Sequence, residues 1–261
     1  MTSNHIILRF RLGITAMIIV LLCSGPSLLL AANPDPQQML ESMDQIIRGN
    51  SHKMTVTLDI KTKRWQRNYK INVWMKGVDN AFARVLEPSK SEGQGFLRVK
   101  TRLWQYLPSA ERTILIPPSL MLDDFLGSDF SNDDFVKLSY FPRDYESKIL
   151  DEIEMDSFQT YHLELLPRPE APVTYGKLEL WLRKTDSAPI RWDFYNEKME
   201  LIRTLHYSEF KTFGKKEVPM VWKMENVKDK NRQTTVTILN AEYDIPISED
   251  LFSRKNLEKY P

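Results

Sequence analysis

The chain has 261 residues, 36 basic against 35 acidic, and one cysteine. So even a balance of charge argues against nucleic acid as a partner. A lone cysteine excludes a disulfide framework, so the fold must rest on its core, and the length suffices for one large β domain or two small ones.

The N-terminus reads as an export signal. Arg9 and Arg11 precede an apolar run from Leu12 to Leu22, Gly25 and Pro26 break it, and Leu30, Ala31 and Ala32 offer small residues for cleavage. An uncleaved anchor is the alternative reading of the stretch to Leu30. Cys23 lies inside the apolar run and follows Leu22 rather than a small residue, so it reads as part of the signal and not as a lipid-anchor site. The expectation is a signal peptide over residues 1–32 and a single periplasmic domain over 33–261, with no second run long enough to span a bilayer.

Residues 37–48 come next. Met39, Leu40, Met43, Ile46 and Ile47 recur at helical spacing, and Gly49-Asn50 supplies a stop. Strand patterns then dominate. Met54, Val56, Leu58 and Ile60 alternate with polar neighbours, as do Tyr69, Ile71, Val73 and Met75, which places one set of side chains on each face of a sheet. Further strands are expected over 81–87, 95–100, 102–107, 111–116, 135–140, 145–155, 159–166, 175–183, 189–196, 200–210, 218–226 and 233–244. Turn residues such as Gly77, Pro108-Ser109, Asp186-Ser187, Gly214 and Asp229 to Asn231 separate many of them. Short helical stretches are expected at Leu120–Leu126 and Ser248–Phe252.

This pattern specifies a mainly β fold: an unclosed antiparallel β-barrel, or strongly curved single sheet, with a few short helices covering the open side. Large sheets avoid open edges by curling, and curling creates an inside.

The aromatic residues suggest what fills that inside. All six tryptophans follow the apolar leader. Trp74 and Trp181 stand on strand faces that otherwise look polar, and Trp104 with Tyr106 opposes Leu103 and Leu107, so some strands are apolar on both faces. Met220, Trp222 and Met224 share one face of one strand, and thioethers suit walls that accept a flexible apolar guest. With Phe82, Phe96 and Trp192 on neighbouring strands, these residues are the candidates for lining a ligand cavity. For any one of them ordinary core packing is the simpler reading; the cavity rests on their sum.

Residues 119–135 differ from the rest. Pro117-Pro118 ends the preceding strand, and a short apolar stretch leads through Gly127 to an acidic loop. Leu122, Phe125 and Leu126 would share one helix face and, with Phe130, form a lid across the open side; a fixed plug is the equal alternative. Asp123, Asp124, Asp129, Asp133 and Asp134 lack the spacing and central glycine of a calcium-binding loop, so no metal is assigned, and Asp129 and Ser131 suit helix capping.

Catalytic patterns are missing. His52, His162 and His206 form no metal motif, and there is no nucleophile elbow, phosphate loop or dinucleotide glycine pattern. Glu152 with Glu154 and Glu164 with Glu179 are the carboxylate pairs available for acid–base work, and ordinary outward strand charge is the simpler reading. No enzyme activity and no cofactor is expected.

The order of these features resembles the LolA-like superfamily, in its branch of outer-membrane lipoprotein-sorting-like proteins. The residues that carry the likeness are the helix 37–48, then Ile71-Asn-Val-Trp-Met-Lys76, Ala81-Phe-Ala-Arg-Val-Leu-Glu-Pro88, Leu103-Trp-Gln-Tyr-Leu-Pro108 and Gly127-Ser-Asp-Phe-Ser-Asn-Asp-Asp-Phe135. The resemblance implies a periplasmic carrier that holds the acyl chains of a lipid or lipoprotein in a hydrophobic cavity and delivers them toward the outer membrane. An inner-membrane transporter or an outer-membrane acceptor would be its partner. LolA itself has an arginine directly after the lysine of its second strand, facing the ligand, whereas Lys76 is followed by Gly77 here. Arg84 or Arg98 could replace it, with outward-facing charge as the alternative. Two rivals stand beside the carrier: a lipid-responsive sensor or interaction module on the same fold, and an envelope hydrolase with an unrecognised carboxylate pair.

Overall fold

A computed structural model describes residues 34–137, 141–171 and 173–259. The signal-peptide reading of residues 1–32, Cys23 included, lies outside the described residues. Helix α1 (Pro36–Arg48) begins where Asp35 accepts a hydrogen bond from the Gln37 amide at 2.9 Å and Pro36 occupies the first turn. It ends at Gly49, whose φ of +62° suits a residue without a Cβ. Its buried face carries Met39, Leu40, Met43 and Ile46, as their spacing requires.

Thirteen strands follow: β1 (Ser51–Lys61), β2 (Gln66–Lys76), β3 (Asn80–Glu87), β4 (Gly95–Val99), β5 (Arg102–Leu107), β6 (Arg112–Leu115), β7 (Tyr145–Met155), β8 (Phe158–Pro167), β9 (Lys177–Arg183), β10 (Pro189–Tyr195), β11 (Leu201–Phe213), β12 (Lys216–Asn226) and β13 (Gln233–Tyr243). They pair antiparallel into one sheet of order β6-β5-β4-β3-β2-β1-β13-β12-β11-β10-β9-β8-β7. In β1, Met54, Val56, Leu58 and Ile60 are buried in strict alternation. One contiguous core takes Leu103 from β5 at one end of the order and Leu163 from β8 at the other. Residues so far apart in an open sheet meet only if it curls, and β6 and β7 remain its unpaired edges. Because these edge strands are consecutive in sequence, residues 116–144 carry the chain from one edge to the other.

That crossing differs from expectation. Leu120–Leu126 is not one helix: isolated 3₁₀ turns at Pro118–Leu120 and Phe125–Gly127 stand in its place, and both Leu126 and Gly127 have positive φ, which no α-helix permits. The helix forms later, as α2 (Asn132–Lys137), so residues 135–137 are helical where a strand was expected, and 138–140 lie outside the described residues. The cause is local. Ser131 Oγ accepts from the Asp134 amide at 3.0 Å while Asp134 Oδ2 accepts from the Ser131 amide at 2.7 Å, a reciprocal cap that starts a helix there. A single turn, α3 (Phe141–Asp144), leads into β7.

A second apolar layer forms on the opposite face of β2–β4. Trp74, Phe82 and Leu97 pack there against Ile247, against Phe252 of the C-terminal turn Glu249–Phe252 and against Leu257 of helix α4 (Arg254–Lys259). This explains why the strands of Trp74, Phe82 and Trp104 are apolar on both faces: one faces the barrel interior, the other the C-terminus. Among the described residues, no helix is long and apolar enough to cross a membrane.

Candidate functional site

Inside the curl lies a cavity of about 190 Å³. The sheet supplies most of its wall: Met54, Val56 and Leu58 from β1, Ile71, Val73 and Met75 from β2, Ala81 and Ala83 from β3, Tyr207 from β11, and Val236 and Ile238 from β13. Helix α1 adds Met43 and Ile47, and the crossing segment adds Phe125, Phe130 and Phe135. The hollow has a cause in the sequence: β3 points two alanines inward at successive positions, between the inward-facing residues of β2 and β4. Apolar cavities of about 150 Å³ stay dry and accept an apolar guest.

The residues named from sequence divide between the two faces. Trp192 and Trp222 line the cavity. Met224 is fully buried in the same core, and Met220 packs against it. Phe96 sits one layer behind, its ring 4.6 Å from that of Phe125 and 6.4 Å from that of Phe135. Trp74, Phe82, Trp104 and Tyr106 belong instead to the layer under the C-terminus. Trp181 stacks on His162 at 4.3 Å, with the Arg191 guanidinium over its ring, and is not a lining residue. Of the lid residues, Phe125 and Phe130 line the cavity and Leu126 packs against the core, whereas Leu122 is 65% exposed. Trp192 Nε1 is a buried donor with no hydrogen-bond partner among the described residues.

Sequence reasoning missed Ala81, Ala83, Tyr207 and the polar end of the cavity. There Arg48 pairs with Asp44 and donates to the Gly49 carbonyl at 2.9 Å, and His52 Nδ1 lies 2.9 Å from the Arg48 carbonyl. Burial holds the His52 imidazole down to about 4, with the Arg48 and Arg98 cations acting in the same direction, so it is neutral near pH 7. Neutral imidazole facing a carbonyl through Nδ1 carries its proton on that nitrogen. Alanines at two successive inward positions of one strand, Ala81 and Ala83, were the available signal for the hollow. None pointed to His52.

Arg84 and Arg98 are not outward-facing charges: both are fully buried. Arg84 lies on the C-terminal side of the sheet, donating to the Leu257 carbonyl at 2.7 Å and to that of Gly93.

The crossing segment is tied down by charge. Arg232 pairs with Asp124 at 2.5 Å and Asp129 at 2.9 Å, Thr234 donates to Asp129 at 2.7 Å, and Arg203 pairs with Asp134 at 3.0 Å. Thr174 and Tyr175 donate to Asp133 and Asp134. Asp129, Asp133 and Asp134 are therefore buried acceptors rather than solvated loop carboxylates. Burial raises the Asp129 carboxyl, with Thr234 and Arg232 opposing. The carboxylates considered for acid–base work lie outside the cavity wall: Glu152 accepts from Lys184, Glu164 pairs with Lys148, and Glu179 accepts from Lys177 and Tyr195.

A family model described as that of an uncharacterized protein matches residues 77–259. Among curated proteins none matches the sequence. Three solved structures share the fold. A DUF1329 family protein from Desulfovibrio piger is 21% identical, with 86% of this chain and 100% of that chain covered and a TM-score of 0.79. A domain of the outer membrane lipoprotein-sorting type from Vibrio parahaemolyticus is 19% identical, with 86% and 98% covered and a TM-score of 0.77. A LolA superfamily protein from Nitrosomonas europaea is 23% identical, with 85% and 99% covered and a TM-score of 0.73.

Proposed function

Because this chain belongs to the family of uncharacterized proteins matched over residues 77–259 and has the LolA-like fold, we propose that it is a carrier of lipid acyl chains. Residues 1–32 act as its export signal and 33–261 as one periplasmic carrier domain. The observation that carries this reading is the cavity of about 190 Å³ walled by Met, Val, Ile, Ala and aromatic side chains. Burying acyl chain there contributes about 0.8 kcal/mol per CH₂. A hollow not much larger than one that takes an aromatic ring holds only part of a chain. Loading a whole chain therefore requires the segment that carries Phe125, Phe130 and Phe135 to swing aside or the Met and Phe side chains to repack. Release follows by partition into an acceptor of higher affinity, with no bond made or broken and no cofactor. A lipoprotein or a membrane lipid satisfies the same wall, and an inner-membrane transporter and an outer-membrane acceptor are the partners the cycle needs.

Native mass spectrometry of the exported protein, followed by extraction and identification of what it carries, tests the proposal. The expected result is a stoichiometric acylated molecule released by organic solvent. Protein purified from its own envelope without any such molecule, and unable to take one up from micelles, would overturn it.

A further inference from the structure

One end of the barrel carries a surface that the carrier cavity does not explain. The order β2-β1-β13-β12-β11-β10 brings three loop tips side by side at that end: residues 62–65 between β1 and β2, 227–232 between β12 and β13, and 196–200 between β10 and β11. Lys61 faces Gln66 on one side and Gln233 on the other, and Arg203 faces both Phe194 and Asn226, so the tips leave the sheet at one level. Each tip exposes one large apolar side chain: Trp65 at 38%, Val227 at 38% and Met199 at 54%. The pairing register thus gathers three exposed apolar side chains at one end of the sheet, and apolar residues grouped in this way mark an interaction surface where scattered ones do not.

The same tips are cationic. Lys61, Lys63, Arg64 and Arg67 are all exposed, and none has a carboxylate partner among the described residues. The Arg67 guanidinium lies 4.5 Å from the centre of the Trp65 ring. Lys198 and Lys230 extend the patch. The carboxylates on these tips are Glu197, Glu200 and Asp229, and Glu200 is engaged by Lys228 at 3.6 Å. The chain as a whole is nearly neutral, so this is a local excess of positive charge.

The patch borders the crossing segment. A Cβ on Gly127 would stand 3.8 Å from Arg67 Nη1 and 3.9 Å from Trp65 Cη2. Arg232, at the root of the second tip, donates to the Ser128 carbonyl at 2.7 Å.

We propose that these three tips dock the protein on the surface of an anionic phospholipid bilayer, with Trp65, Val227 and Met199 entering the interface and the cations meeting lipid phosphates. Interfacial tryptophan beside unpaired lysine and arginine fits that boundary, apolar on one side and negatively charged on the other. Docking in this pose sets the crossing segment against the bilayer, where a chain can pass between membrane and cavity without crossing water. That last consequence rests on the carrier reading; the docking itself does not.

Vesicle co-sedimentation of the full exported chain tests it, comparing phosphatidylcholine vesicles with and without phosphatidylglycerol. We expect binding to the anionic vesicles that falls steeply between about 0.1 M and about 0.5 M salt, as the screening length shortens. The triple variant K63E/R64E/R67E should lose about tenfold or more of that binding. W65S should weaken it while leaving its salt dependence unchanged. Both variants should melt like the parent, since the altered side chains are exposed. Equal binding to neutral and anionic vesicles, undiminished binding by the triple variant, or no binding to any vesicle would overturn the proposal, the last pointing to a protein partner. Cargo occupancy measured on the same preparations separates the two readings. A protein that docks but carries nothing refutes the carrier alone, and one that carries cargo but never docks refutes the surface alone.

Discussion

Arg203 of β11 donates to Asp134 of α2 at 3.0 Å, and the Asp134 side chain is only 1% exposed. The pair joins the crossing segment to β11, and the Ser131 amide and the Tyr175 hydroxyl complete the carboxylate's hydrogen bonds. Removing one partner of such a pair leaves a charge stranded in low dielectric, at a typical cost of about 3–5 kcal/mol, and at the lower end of that range where, as for Asp134, other donors remain. R203M should therefore destabilise the protein by about that amount in chemical denaturation. It should also raise hydrogen exchange in residues 119–137 more than in β1 or β2. The double variant R203M/D134N should recover part of the loss. Uniform exchange across the sheet would mean that the pair serves the whole fold and not the crossing.

His52 makes stability depend on pH. Its folded value is pushed down to about 4, below that of an unfolded histidine near 6.5. Between those values the unfolded chain binds a proton that the native imidazole refuses, so native stability is full above about pH 6.5 and declines as pH falls toward 4. The decline amounts to roughly 3 kcal/mol. Asp129, raised by burial, acts in the opposite direction, so the measurement to make is the difference between parent and H52N across that range. The difference should narrow as pH drops. Parallel curves would show that His52 does not stay neutral in the folded state.

The two tryptophans that look alike in sequence separate in the structure. Trp222 lines the cavity, with Nε1 donating to the Pro219 carbonyl at 2.9 Å and its ring 5.7 Å from Tyr207. Trp104 packs on the opposite face with Trp74, Phe82 and the C-terminal segment. W222E should reduce cargo occupancy severalfold, because a carboxylate in an apolar wall must be desolvated whenever a chain enters. W104E should leave occupancy intact and loosen α4 instead, read as faster proteolysis near Leu257. Equal occupancy in both variants would detach the cavity from binding.

Helix α1, its Gly49 stop and the strand alternation were legible in the sequence because each rests on spacing alone. Alternation assigns two faces to a strand but does not say which is inside. Trp74 and Phe82 look like lining residues until Leu257, far along the chain, is seen to cover them. Arg84 looks like surface charge for the same reason, since its acceptor is the carbonyl of Leu257. The expected helix at 120–126 failed on competition between local signals. Its apolar spacing favoured a helix there, but the Ser131–Asp134 cap and the positive φ of Leu126 and Gly127 moved it downstream. His52 became informative only once the curled sheet buried it at the cavity, since its partner Arg48 is a near neighbour along the chain and its burial is not.

Ala83 offers the sharpest test of whether the hollow itself does the carrying. It is fully buried, faces Val73 on β2 and Phe96 on β4, and lines the cavity with Ala81. A larger side chain there grows into space and not into a packed neighbour, so A83F should keep the fold, within about 1 kcal/mol of the parent. Cargo should fall sharply, because the phenyl ring takes up volume the acyl chain needs. A83L should give an intermediate occupancy. The matched control is Phe82, next in sequence and on the other face, where it is also fully buried. F82A should cost about 3–5 kcal/mol of stability and, at temperatures where it stays folded, carry cargo as the parent does. Occupancy that follows stability across the three variants, rather than the volume left at position 83, would place the acyl chain somewhere other than inside the curl.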